Sequence, residues 1–250
     1  MKARISSLLL LAGLLLVWEL AARAFAVSAL VLPPPTAVLQ ALWKGLASGF
    51  FWPHLGATAF ELLLGLVAGS GFGFAVGVLL AEHAGLRRVL LPYIVVTQVI
   101  PKLALMPLFI VWFGFGLLPT VVVTALICFF PLMENTLTGL AQVPPERLEL
   151  FRMLGATRAQ TLWRLKLPTG LPAILAGLRI AVVLALVGVV VGEFIGTSQG
   201  LGALIIGAQG SMDTPLMFAV LVLVSLLGLG AYHAALLLER RLLRPYSSIP

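Results

Sequence analysis

Apolar runs long enough to cross a membrane, separated by short polar breaks, recur along almost the whole chain. A helix needs about 20 mostly apolar residues to span the ~30 Å hydrocarbon core of a bilayer. Six segments meet that requirement: 5–27, 55–81, 89–113, 117–140, 170–194 and 216–238. The pattern predicts an all-α integral membrane protein with six transmembrane helices. An N-terminal helix occupies 1–28, an outer interfacial segment 29–53, and five helices 54–240, with a tail over 241–250. The first run has a second reading, because Lys2 and Arg4, the apolar stretch 8–18 and Ala22-Arg23-Ala24 also fit a cleaved signal peptide. Apolar character that continues past Glu19 to Leu32 favours a retained span.

The breaks and irregularities carry further information. Pro33-Pro34-Pro35 cannot lie inside an α-helix. The residues that follow have helical periodicity and few charges, which predicts a short helix lying in the outer interface. In the second span Gly65, Gly69, Gly73 and Gly77 fall four apart. That spacing lets a neighbouring helix approach closely; a glycine-lined conduit is the other reading. The third span contains Pro92, Pro101 and Pro107, with Lys102 beside the middle one. Proline frees carbonyls that lipid cannot satisfy, so a helix broken there must line a cavity or be buried in protein. A lysine at such a break is a candidate functional residue. Snorkelling, or pairing with Glu61 or Glu193, is the alternative. The fifth span carries Arg179 in its inner half and Glu193 near its outer end. The glycine-rich stretch after it, 196–215, reads as an outer loop with a short half-inserted helix.

Composition agrees with this picture: 61% of the residues are hydrophobic, 10% are charged, and the mean hydropathy is +1.12. Soluble domains carry about 25% charged residues. The net charge of +7 fits basic loops beside anionic lipid better than nucleic acid, which is not expected as a partner. The single cysteine, Cys128, excludes disulfides within the chain. Lysine and arginine fall mainly on one side: Lys2 and Arg4, Arg87 and Arg88, five in the loop 141–169, then Arg240, Arg241 and Arg244. The opposite side holds Arg23 and Lys44 only. By the positive-inside rule both termini and the 141–169 loop are cytoplasmic.

That loop contains the one long charged stretch, ERLELFRMLGATRAQTLWRLKLP over 146–168. It reads as two short amphipathic helices joined by a turn at Gly155-Ala156, the second ended by Pro168. Leu148, Phe151, Leu154, Leu162 and Leu165 form an apolar stripe, and Gly155 supplies the backbone freedom the bend needs. No catalytic constellation accompanies it. There is no G-x-x-x-x-G-K-[ST] phosphate loop. His54, His83 and His233 lack metal-ligand spacing, and no nucleophile–base pattern emerges. No metal or cofactor is expected on this chain, and energy for any vectorial work must come from elsewhere.

Glu149, Gly155 six residues on, and Leu165-Lys166-Leu167-Pro168 resemble the cytoplasmic "EAA" loop of binding-protein-dependent ABC importer permeases. Leu150 and Phe151 stand where that pattern has two alanines. LPPPTAVLQAL (32–42), IPKLALMPLFIVWFGFG (100–116), FFPLMENTLTGL (129–140) and GEFIGTSQGLG (192–202) are similar to the nitrate/sulfonate/taurine-type permeases. The resemblance runs from about residue 30 to the C-terminus. It implies a type I importer fold working as a homodimer, two cytoplasmic ATP-binding subunits holding ATP and Mg, and a periplasmic substrate-binding protein. It further implies that Glu149, Phe151, Leu154, Gly155, Ala156, Leu165, Leu167 and Pro168 belong to the loop that docks on the ATPase. The chain itself would be no enzyme. The expected cargo is a small solute, either an anion such as nitrate, bicarbonate, taurine or a sulfonate, or an aromatic or heterocyclic compound. Glu61, Gln98, Lys102 and Glu193 are the candidate pathway residues. A secondary transporter or channel working without ATP is the competing class; it would require inverted repeats, and none is evident.

Overall fold

Glycine sets how closely the central helices pack. The computed structural model describes residues 2–24, 28 and 30–244, with backbone alone for 2–5, 7 and 8. Helix α3 (Phe51–Glu82) lies along α6 (Leu117–Ala141), and α6 lies along α9 (Leu167–Gly196). All four spaced glycines of α3 face α6. A Cβ on Gly65 or Gly77 would strike Thr124 or Thr136, and one on Gly69 or Gly73 would strike the backbone of Ala125 or Phe129. The stripe is therefore a packing surface, not a conduit. Gly139 and Gly170 repeat the arrangement between α6 and α9. Leu62, Cys128, Ala181, Ala185 and Val189 fill the centre of this three-helix slab. The Cys128 thiol is buried and donates to the Ala181 carbonyl at 3.4 Å.

Around the slab stand α1 (Lys2–Ala24), α2 (Pro35–Ala47), α4 (Ala84–Val99), α5 (Met106–Phe113), α10 (Leu201–Gly210) and α11 (Thr214–Leu243). The helix α2 begins with Pro35 in its first turn, as the triple proline requires. Its N-terminus lacks a cap of its own. Glu19 of α1 reaches across to accept the Thr36 N–H at 3.0 Å and the Thr36 hydroxyl at 2.9 Å. Val38 and Phe51 then meet Leu201, Ile205, Val220 and Leu223 in an outer apolar layer. Among the described residues four helices are long and apolar enough to cross a membrane, and one bent pair makes a fifth. The 23-residue α1 covers most of the first predicted span, whose residues 25–27 lie outside the described set. The helix α11 continues to Leu243, so the predicted tail starts inside it, and residues 245–250 lie outside the described set.

Two predicted elements take a different form. The third span is not one interrupted rod: α4 and the segment Lys102–Phe113 are bent by 80°. Ile100 and Pro101 are extended, and a 3₁₀ turn over Lys102–Leu105 restarts the chain into α5. Pro101 and Pro107 both deny the N–H bonds that a straight helix would need, whereas Pro92 is absorbed inside α4. Likewise Pro168 does not end the second loop helix. The short helix α8 (Arg158–Thr161) passes through a π-helical turn, Leu162–Lys166, directly into α9. Widening the turn immediately before a proline accommodates its missing N–H and its ring, so the helix continues instead of stopping.

One end of the molecule gathers the loop side of the structure. Lys166 Nζ donates to Glu82 Oε1 at 2.7 Å, tying the start of α9 to the end of α3. Arg179 and Glu239 pair at 3.0 Å between α9 and α11. At the far end the Gly116 N–H donates to the Gly196 carbonyl at 2.6 Å. The Lys166–Glu82 pair is about one-fifth exposed on both sides, so Lys166→Met is expected to cost only about 1 kcal/mol. Thermal unfolding in detergent would show a drop of a few degrees; a collapse of the folded fraction would mean the pair organises the loop.

Candidate functional site

The loop between α6 and α9 is built from two local motifs. Helix α7 (Pro145–Met153) starts on Pro145 and closes in a left-handed turn at Gly155, φ +68°. There the Ala156 N–H donates to the Phe151 carbonyl and the Gly155 N–H to the Arg152 carbonyl, each at 3.0 Å. This paired closure satisfies carbonyls that the helix end would otherwise orphan. The chain restarts at once with a capping box. The Gln160 N–H donates to the Thr157 hydroxyl, and Thr157 N–H donates to Gln160 Oε1 at 2.8 Å. LGATRAQ thus encodes a stop, a bend and a start within seven residues.

The loop residues anticipated from sequence divide into two groups. Glu149, Leu154 and Gly155 face outward, Phe151 and Ala156 are half-buried, and Leu165 is buried with Leu167 and Pro168 half-buried beside it. The C-terminal half of the motif therefore anchors the loop to the protein, and the first half presents it. Three residues missed in the sequence complete the outward face: Leu150, Met153 and Trp163. Met153, Leu154 and Trp163 are 87%, 73% and 67% exposed. Leu154 continues the i, i+3 stripe through the half-buried Leu148 and Phe151 but is itself exposed, whereas Leu150 and Met153 lie off that stripe. The usable signal for Leu150 and Met153 is an apolar position off the stripe in an otherwise charged segment.

The four pathway candidates fall into two separate places. Lys102 does not reach a carboxylate: Lys102 Nζ donates to Gln98 Oε1 at 2.7 Å across the break between α4 and the 3₁₀ turn. The pair is shared by two cavities, of about 400 Å³ and about 450 Å³, one toward Pro131 and Val187, the other toward Gly69 and Phe129. The broken span thus lines cavities, as its unsatisfied backbone requires.

Glu193 and Glu61 meet at the other end, with His54 and Thr58, at the N-terminus of α10. His54 and Thr58 are not among the residues expected from sequence, although with Glu61 they recur at i, i+4, i+7 on one face of α3. The Gly200 N–H donates to His54 Nδ1 at 3.1 Å, the Leu201 N–H to Thr58 Oγ1 at 2.8 Å, and the Gly202 N–H to Glu193 Oε2 at 2.6 Å. Thr58 in turn donates to Glu193 Oε1 at 2.6 Å. Three consecutive N–H groups at the helix start are therefore satisfied by side chains from α3 and α9. A Cβ on Gly200 would collide with the Glu193 carboxyl, which explains why glycine stands there. Glu193 is fully buried and acts in this arrangement as a cap, whereas Glu61 lies on the wall of an outer cavity of about 600 Å³.

Residues 69–244 match the family described as binding-protein-dependent transport system inner membrane component. Riboflavin transport system permease protein RibX of Chloroflexus aurantiacus is 39% identical over 231 residues, covering 92% of this chain and 86% of that one. Formylaminopyrimidine transport permease protein ThiX of Halalkalibacterium halodurans is 36% identical over 230 residues, 92% and 91% of the two chains. In three dimensions the chain is similar to an inward-facing MetNI methionine ABC transporter. The TM-score is 0.65 at 24% identity, over 78% of this chain and 98% of that one. The fold is that of a type I ABC importer permease, a non-catalytic membrane component, and the chain belongs to the binding-protein-dependent transport system inner membrane component family.

Proposed function

We propose that two copies of this chain form the membrane pathway of an importer whose energy comes from two cytoplasmic ATP-binding subunits, where ATP and Mg are held. A periplasmic binding protein delivers the cargo, a small solute of the anionic or the aromatic, heterocyclic class. One observation carries this reading: Leu150, Met153, Leu154 and Trp163 stand exposed on the polar loop that joins α6 to α9. Apolar side chains held outward by a rigid stop–bend–start motif fit a groove on a soluble partner. Arg87, Arg88 and the basic loop residues share that end, which supports placing it and both termini in the cytoplasm. ATP binding then favours one of two permease arrangements, and the loop transmits that bias as rigid-body motion.

Affinity purification of tagged chain from cells expressing the neighbouring transport genes should recover an ATPase subunit. Met153→Asp combined with Trp163→Asp should abolish that recovery while the permease still accumulates in the membrane. Unchanged recovery from the double variant would remove this surface as the docking face.

A further inference from the structure

We propose that Glu61 and Glu193 form a proton-binding site. Glu61 carries one proton, donates it to an ionised Glu193, and so latches α3 and α9 to the start of α10. The site goes beyond the importer reading and needs no partner chain.

The two side chains meet between α3 and α9, where they are 5% and 0% exposed and share a hydrogen bond. Two carboxyls can share such a bond only with a proton between them, and buried like charges in contact do not both ionise. No cation offsets them: among the described residues the ion pairs take Glu19, Glu82 and Glu239 instead. The surrounding donors decide which carboxyl keeps the charge. Glu193 accepts the Thr58 hydroxyl at Oε1 and the Gly202 N–H at Oε2, each at 2.6 Å, beside the N-terminus of α10. Donors to both oxygens and a helix start favour the ionised form. Glu61 has neither, and its Oε2 is buried without a hydrogen bond among the described residues. A carboxylate so placed is costly, whereas a neutral carboxyl can donate its O–H to Glu193.

The other titratable groups of the neighbouring elements are engaged or remote. On α3, His54 accepts the Gly200 N–H at 3.1 Å. Helices α5 and α10 and residues 197–199 contain no charged side chain. Helix α6 brings Cys128, bonded to the Ala181 carbonyl, and Glu134 toward its opposite end. On α9 Arg179 pairs with Glu239, and beside it Lys102 is held by Gln98. Asp213 caps the first turn of α11, whose remaining titratable groups start at Tyr232. Helix α2 meets α3 through Gly45 and Phe51 and carries the exposed Lys44. Removing the proton therefore leaves two charges in contact with nothing to absorb them. The repulsion acts on the Leu201 and Gly202 N–H groups, because Thr58 and Glu193 hold them. The start of α10 is then released from α3, with residues 197–199 on the wall of the cavity of about 600 Å³.

Two measurements on the full chain in lipid nanodiscs test the site. Infrared spectra at neutral pH should show the carbonyl band of a protonated carboxyl, and Glu61→Gln should remove it. Amide hydrogen exchange over Gly200–Gly202 then reads the latch. Opening returns Glu61 to water, where it ionises above about pH 4.3. The closed state keeps the proton, so each further pH unit should favour opening about tenfold until the acid band disappears, and then level off. Glu61→Gln keeps a donor to Glu193 and has no proton to lose, so its protection lacks this slope. His54 caps Gly200 in both proteins, and its own titration cancels in the ratio of their protection. The absence of an acid band that Glu61→Gln removes overturns the proposal, as does a protection ratio that stays constant with pH. Should Glu61→Gln fail to accumulate, Glu193→Gln takes its place in the infrared comparison. It offers Glu61 an amide donor, lets it ionise, and should remove the same band; a band that persists overturns the site. Neither measurement requires an ATPase, so both decide the site whether or not the importer reading holds.

Discussion

Gly69→Ala should prevent the protein from accumulating as a folded species, although it adds a single methyl group. The added Cβ would sit 2.7 Å from Ala125 Cα and 2.8 Å from Ala125 C, and closer still to the Ala125 carbonyl oxygen. All three are backbone atoms of α6, so no side chain can rotate away. The two helices must separate along a seam that also includes Gly65, Gly73 and Gly77, and the close packing that holds helices together in lipid is lost along its length. Overpacking of this kind costs about 1–3 kcal/mol even where neighbours can shift; against backbone on both sides the upper end applies. A Cβ on Gly71, two residues on, would meet nothing within 4 Å, and Gly71→Ala is the matched control. Its better helix propensity should leave it as stable as the parent or slightly more so. Fluorescence size-exclusion profiles of the two variants in detergent make the comparison. Equal monodisperse peaks for Gly69→Ala and Gly71→Ala would show that the α3–α6 seam can relax.

The same seam shows what was legible in the sequence. Four glycines at a spacing of four say that a helix approaches, because only one physical effect needs that repeat. They do not say which helix approaches. The apolar length of the runs gave four of the six expected spans, and a fifth as a bent pair, for a similar reason: bilayer thickness imposes it on each segment independently. The form of the third span was harder to read. Pro101 and Pro107 announced a break, but the 80° bend depends on what α6 offers on the other side. Pro168 misled in the opposite sense, because a π-turn can absorb a proline that local rules take as a stop. The partners of Lys102 and Glu193 were not legible at all. Gln98 lies one helical turn away in sequence, but choosing it over a carboxylate required knowing that both glutamates lie at the far end. Thr58 and His54 were silent for a related reason: a threonine and a histidine on an apolar helix gain their role only from the α10 N–H groups they cap.

The second large effect is on coupling rather than on folding. Gly155→Val should leave the membrane helices intact and abolish transport. Gly155 holds φ at +68°, and a Cβ there would meet nothing within 4 Å, so the cost of substitution is purely conformational. A β-branched residue in that region is strained by about 1–3 kcal/mol. The strain falls on the paired bonds from Gly155 and Ala156 to Arg152 and Phe151, which end α7, and not on any buried contact. The loop is exposed and is anchored separately through Leu165 and the Lys166–Glu82 pair. It can therefore relieve the strain by fraying α7, which displaces the exposed Met153 and Leu154. Under the proposed docking this breaks the face offered to the ATPase. Uptake into proteoliposomes should fall at least about tenfold, the equivalent of about 1.4 kcal/mol, while the unfolding temperature of the permease changes by a few degrees at most. Gly155→Asn, which tolerates left-handed backbone, should retain most of the activity. Val and Asn variants that transport equally well would show that the bend plays no part in coupling. A Val variant that fails to fold would show instead that the loop belongs to the core of the structure.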